Sequence, residues 1–218
     1  MMNLEEARRR LVESLVAEGI IRSERVKNAA LKVKREDFVP ESERRYAYED
    51  MPLSIGYGQT ISAPHMVFLM DELLDLKEGM LVYEIGTGSG YHAATIAEIM
   101  GEGRVITTEI VKELAIFAWR NLSRAGYSDR VAVIACDGVK LRLREKPDRI
   151  LVTAAAPDVP YPLLDLLKDG GKMVIPVGVF PQKLLVVEKR GGEIARRYVT
   201  DVAFVPLRGE WGFDKKRR

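Results

Sequence analysis

Residues 81–91 read Leu81-Val82-Tyr83-Glu84-Ile85-Gly86-Thr87-Gly88-Ser89-Gly90-Tyr91. A mostly apolar run of strand length passes into glycines at every second position, and a helical period follows over Tyr91–Met100, closed by Gly101. Strand, glycine turn and helix in that order form the opening of a βαβ unit, with the turn at the carboxyl end of the strand. Further strands are expected at Arg104–Glu109, Val131–Ala135, Arg149–Thr153 and Lys172–Val177, and helices at Lys112–Ala125 and Tyr161–Lys168. This alternation implies an α/β fold, a doubly wound and mainly parallel sheet with helices on both faces. The pattern changes at the end. Lys183–Lys189, the Gly191-Gly192 turn and Arg197–Leu207 predict a hairpin and therefore an antiparallel edge.

Toward the N-terminus, Leu4, Leu11 and Leu15 align on one face of a helix ending at Gly19, and Ser23 caps a second helix carrying Val26, Ala30 and Val33. Gly, Pro and Ser break up Asp50–Pro64 into a loop, and a helix is expected from Met66 to Leu76. One domain over 1–218 accounts for the length: an N-terminal helical extension to 50, a loop over 51–65, a core over 66–190, and a terminal strand with a basic tail over 191–218.

The 34 basic and 32 acidic residues leave a net charge of +2, too little to attract nucleic acid, and Lys215, Lys216, Arg217 and Arg218 read as a solvated end. Cys136 is the single cysteine, which excludes an internal disulfide and fits a reducing compartment. With no signal peptide and no apolar run of spanning length, a cytoplasmic, monomeric protein away from membranes is expected. Side-chain amides are confined to Asn3, Asn28, Asn121, Gln59 and Gln182 while 30% of residues are charged, a mix found in proteins of thermophiles.

The glycine spacing separates cofactors. A dinucleotide fingerprint needs glycine at Tyr91, and no Gly-Lys-Ser/Thr follows to make a P-loop, so diphosphate binding is disfavoured. Glu109 ends the next strand, where a carboxylate can accept from both hydroxyls of a ribose. Asp137-Gly138 follows the strand after that and could flank an adenine, and Glu84 could meet an ammonium. A ribose, a base and a charged amino acid without phosphate describe S-adenosylmethionine. No metal is expected.

GYGQTISAPHM (56–66), LVYEIGTGSGY, TTEI, ACDG, DRILVTAAAPDVP, LKDGGKMVIPVG and FVPL together resemble the protein-L-isoaspartate O-methyltransferases, in order and over most of the chain. The resemblance implies a Rossmann-like class I methyltransferase that esterifies the carboxylate exposed when aspartyl or asparaginyl residues isomerise. The ester then closes to a succinimide and partly reopens as normal aspartate. The resemblance further implies that Ser62 is the active-site serine, and that His65, Glu84, Gly86, Thr87, Gly88, Ser89, Glu109, Asp137 and Gly138 bind the cofactor. Gln59, Thr60, Ile61 and Ser62 then belong to a substrate lid over 51–65, with Gln59 and Thr60 on its peptide-facing rim. Two departures stand out: Glu84 where some relatives carry Asp, and Arg208-Gly209 after FVPL.

The expected chemistry agrees with the residues present. A carboxylate with an ordinary pKa of about 4 is ionised at neutral pH, so its methylation requires no general base. His92, on the helix after the loop, is expected to be packing or surface. Ser62 is expected to donate a hydrogen bond that aims the acceptor, without becoming a covalent nucleophile. One rival is a tRNA or other nucleic-acid methyltransferase. Against it, Thr153-Ala154-Ala155-Ala156-Pro157 stands where amine-methylating enzymes carry N/D-P-P-Y/F/W, leaving no aromatic platform for a base. A second rival is a non-catalytic module that keeps the cofactor fold.

Overall fold

The computed structural model describes residues 3–213, and the basic tail at 215–218 lies outside them. Two helices open the chain, α1 (Leu4–Ala17) and α2 (Glu24–Lys32), followed by 3₁₀ turns at Arg35–Asp37 and Glu41–Tyr46. A short hairpin, β1 (Leu53–Gly56) and β2 (Gln59–Ile61), leads into α3 (Pro64–Leu74). The α/β part then runs β3 (Leu81–Ile85), α4 (Tyr91–Met100), β4 (Arg104–Glu109), α5 (Lys112–Arg124), β5 (Val131–Ala135), β6 (Arg149–Val152), α6 (Tyr161–Leu166) and β7 (Lys172–Val177). Strands β8 (Gln182–Arg190) and β9 (Glu193–Val202) complete it.

One seven-stranded sheet has the order β5-β4-β3-β6-β7-β8-β9. Strands β3 to β7 are parallel, while β8 pairs antiparallel with β7 and with β9. The chain adds β4 and β5 on one side of β3 and then returns to lay β6 on the other. The cleft between the carboxyl ends of β3 and β6 is therefore a topological switch point, where open α/β sheets bind ligands.

Period-2 alternation divides the core. Val82, Val105, Leu151 and Val174 face a layer built from α1 to α5, whereas Tyr83, Ile85, Ile150 and Met173 face α6 and the 3₁₀ turn at Gly138–Lys140. Each fully buried Leu, Ile or Phe in these layers contributes roughly 1.5–3 kcal/mol. Ser23 caps α2 as expected, its hydroxyl accepting from Val26 N at 3.3 Å. Phe38 packs edge-on against Tyr91, centroids 5.6 Å apart, and so ties the N-terminal segment to the helix after the glycine turn.

Several boundaries differ from the sequence reading. The buried stripe of α1 is Ala7, Arg8, Val12 and Leu15, with Leu4 and Leu11 at its margin. The expected loop at 50–64 contains the β1–β2 hairpin, with Tyr57 at φ 54 between Gly56 and Gly58. Helix α3 begins at Pro64 because proline's fixed φ suits a first helical position. The last strand begins at Glu193, directly after the two positive-φ glycines of the turn, and ends at Val202. Residues 203–207 instead cross the top of the sheet, touching it at the Ala155–Pro206 bridge.

Candidate active site

A cavity opens at the switch point, lined by Gly86, Gly88, Glu109, Asp137, Gly138 and the 205–208 segment, among others. Gly86 has φ 97, and a Cβ there would overlap the Thr153 hydroxyl, which donates to Gly86 O at 2.6 Å. The loop is thus pressed against β6 with no room for a side chain.

Glu109 is held at both oxygens: Gly88 N donates to Oε2 at 2.9 Å and Val111 N to Oε1 at 3.0 Å. These bonds fix the carboxylate at the cavity wall, and each oxygen keeps a lone pair for a ribose hydroxyl. Asp137 is also fixed, accepting from Val139 N at 3.2 Å and from Glu210 N at 3.0 Å. Gly209, at φ 97, lies so close to that carboxylate that a Cβ would overlap it, which explains the Arg208-Gly209 departure as a strap closed over Asp137. Gly138 is likewise crowded by Thr108, and its carbonyl accepts from Tyr83 Oη at 2.6 Å.

Glu84, expected to meet an ammonium, lies in the interior. It shares a sheet face with Val82, beneath α3 and α4, and is fully buried. Thr107 Oγ1 donates to its Oε2 at 2.6 Å, while Oε1 has no partner. Desolvation pushes its pKa up to about 7, despite His92 and the Thr107 hydrogen bond pulling it down. An unpartnered carboxylate oxygen below the glycine turn favours a cation above it through its field rather than by contact.

Ser62 stands where two further spaces meet. A small cavity between the hairpin and the glycine turn is lined by Ser62, Thr87, Ser89, Tyr91 and His92, with Ile61 beside them. The larger cleft outside it is lined by Ser62, His65, Phe180, Pro181, Asp201 and Phe204. Ser62 is half-buried and makes no hydrogen bond to another described residue, so its hydroxyl is available to a ligand. Thr60 and Thr153 line all three spaces.

The expected site residues therefore divide. Gly86, Gly88, Glu109, Asp137 and Gly138 share the cavity at the switch point. Thr87 and Ser89 line the small cavity, with the Thr87 hydroxyl 2.6 Å from that of Thr107. Gln59, expected on the peptide-facing rim, lines the first cavity, while Thr60 lines both that cavity and the outer cleft. His65 faces the outer cleft: as the second residue of α3 it turns outward, and Asp50 holds its backbone N at 2.8 Å and its Nδ1 at 2.9 Å. Sequence reasoning gave no site role to Thr153 or to 205–207, although both lie in the quoted DRILVTAAAPDVP and FVPL motifs, and it missed the buried Asp71, which carries no motif.

The residues fit S-adenosylmethionine: a fixed carboxylate for ribose, a walled slot at Asp137-Gly138, glycines where the backbone must come close, and a buried acid beneath with one oxygen unpartnered. Among the described residues no group of side chains could hold a metal ion, and no helix is long and apolar enough to cross a membrane.

The model of the protein-L-isoaspartate(D-aspartate) O-methyltransferase family matches residues 6–212. A Korarchaeum cryptofilum protein-L-isoaspartate O-methyltransferase is 59% identical over 216 residues, covering 94% of this chain and 98% of the relative. One from Hyperthermus butylicus is 59% identical, covering 95% and 91%. Among solved structures, a Plasmodium falciparum chain described as a protein-L-isoaspartate O-methyltransferase in complex with S-adenosyl-L-homocysteine superposes with a TM-score of 0.84 at 32% identity, covering 95% of this chain and 99% of that one.

Proposed function

The chain belongs to the protein-L-isoaspartate(D-aspartate) O-methyltransferase family, and we propose that it works by aiming an already ionised carboxylate with the Ser62 hydroxyl. It is a methyltransferase that moves a methyl group from S-adenosylmethionine to the free carboxylate of L-isoaspartyl residues in proteins. The cofactor supplies an electrophilic methyl group on a positively charged sulfur.

The chain's own residues bind, orient and exclude water. Glu109 holds the ribose, the Asp137-Gly138 slot the base, and Gly86 and Gly88 the close approach of the backbone. Glu84 favours the positive end through its field. The outer cleft, with Phe180, Pro181 and Phe204 in its walls, receives the peptide. Ser62 donates to one acceptor oxygen and leaves the other free to attack in line. No residue needs to take a proton, because the acceptor arrives without one. The observation that carries this reading is the unpartnered Ser62 hydroxyl between the glycine turn and the outer cleft.

The peptide cleft, the small side chains of Ala154 to Ala156 and a net charge of +2 all disfavour a nucleic-acid substrate. A reducing, cytoplasmic location agrees with the single cysteine. Labelled cofactor incubated with an isoaspartyl peptide, its normal aspartyl twin and bulk tRNA tests the assignment. Label on the isoaspartyl peptide alone is the expected result, and label on tRNA would reject it.

A further inference from the structure

His92 has two ring nitrogens in different surroundings. Nε2 lies 3.1 Å from Asp71 Oδ1 in the interior. Nδ1 has no partner among the described residues and is not sealed in the core; the side chain lines the small cavity where Ser62 and the glycine turn meet. His92 is also the second residue of α4, so the positive end of that helix points into the same space. The charged groups facing the imidazole are Asp71 from α3 and Glu84 from β3, with Glu109 beyond Glu84 on β4. No basic side chain lines this cavity, so His92 is its one candidate cation among the described residues.

We propose that His92, held by Asp71 through Nε2, donates an Nδ1 hydrogen bond to the α-carboxylate of the cofactor's amino-acid moiety. The inference rests on the methyltransferase reading above and extends it to the amino-acid end. An α-amino acid carries two charges a few bonds apart, and the structure offers a complement to each: a cavity-lining imidazole and a carboxylate buried beneath it. Glu84 sits below the turn as the negative partner of the ammonium, and the imidazolium beside it is the positive partner of the carboxylate. Burial alone would discharge the imidazole, but the attraction of Asp71, the hydrogen bond to it and the field of Glu84 outweigh desolvation and raise its pKa. Asp71 thus positions the ring and keeps the proton on it, as a carboxylate does for a histidine whose second nitrogen carries out a task.

The test uses the full-length protein and two ligands: S-adenosylhomocysteine and its decarboxylated counterpart, which keeps the amine and lacks the carboxylate. His92→Gln is expected to weaken S-adenosylhomocysteine by about tenfold to a hundredfold, the span of a hydrogen bond to a charged group, and to leave the decarboxylated ligand nearly unchanged. Equal losses for both ligands, or no loss for either, would overturn the proposal. A second measurement needs no substitution in the cavity. The chain has only two histidines, so its imidazole nitrogen resonances can be assigned with a His65 variant. The His92 Nδ1 signal should shift with S-adenosylhomocysteine and not with the decarboxylated ligand; the same shift with both would also overturn it. Asp71→Asn should move the alkaline loss of S-adenosylhomocysteine affinity to lower pH, and an unchanged profile would count against the relay. None of these readouts depends on methyl transfer, so a protein that failed to methylate isoaspartyl peptides could still uphold this inference, and the reverse.

Discussion

The floor and the roof of the site are built by different rules. The floor is made of strand ends of the parallel sheet, Gly86 after β3, Glu109 on β4, Asp137 after β5 and Thr153 after β6, each fixed by hydrogen bonds. The roof is made of connections: the β1–β2 hairpin, the 178–181 turn and the 203–208 segment. Its exposed members include Tyr57 at 61%, Val179 at 77% and Phe180 at 75%. A ligand of constant shape can be met by a rigid floor, whereas a repair enzyme meets its protein substrates with parts that carry few packing constraints.

Substitutions on either side of the site should separate the two. The largest effect is expected from Ser62→Ala in the roof: kcat on an isoaspartyl peptide falls by about a hundredfold, while the dissociation constant of S-adenosylhomocysteine stays within about twofold. A loss of cofactor affinity instead would move Ser62 to the floor. Gly86→Ala should do the opposite, weakening S-adenosylhomocysteine by about tenfold to a hundredfold in calorimetry, because the new Cβ meets Thr153 at a strained φ. Unaltered binding would mean that the loop is not pressed against β6 when a ligand is present.

The next expected effect is pH-dependent. With Glu84 raised to about 7 by burial, a cationic ligand is favoured when that carboxylate is ionised. Affinity should therefore fall as the pH drops below about 7, by up to about tenfold per unit, and Glu84→Gln should flatten the profile. In the ligand-free protein the folded value lies above the ordinary 4.5, so stability present at low pH is lost as the pH rises toward about 7. Thermal unfolding of Glu84→Gln should lack that decline. The smallest effect is expected from Gly209→Ala, which crowds Asp137 from a segment able to yield: a loss of a few-fold, on the order of 1 kcal/mol, in cofactor affinity.

The same contrast explains what the sequence made legible. Floor residues announce themselves because strand, turn and helix chemistry act locally: the glycine spacing, the acid ending β4 and the Asp-Gly after β5 could be read directly. The roof could not be read in that way. A hairpin with strands of four and three residues around Gly56, Tyr57 and Gly58 carries too short an alternation to distinguish from loop. The strand expected to reach Leu207 stops at Val202, since Phe204 N instead bonds the side chain of Gln182, at 2.6 Å, a contact with no sequence signature. Asp71 and His92 lie 21 residues apart on different helices and meet only because α3 and α4 pack together. Glu84 was legible as an acid near the turn, but not as a buried one, because the face it takes depends on what covers the sheet.

Thr60 and Thr153 border the inner cavity, the outer cleft and the space between them, and Val205 borders the first two. A partition so thin sets the two spaces side by side yet distinct. With the cofactor in the inner cavity and the peptide in the outer cleft, as proposed above, spent nucleoside should be able to leave and a fresh one arrive while a long protein chain stays seated. Initial-rate plots should then carry the signature of random-order loading.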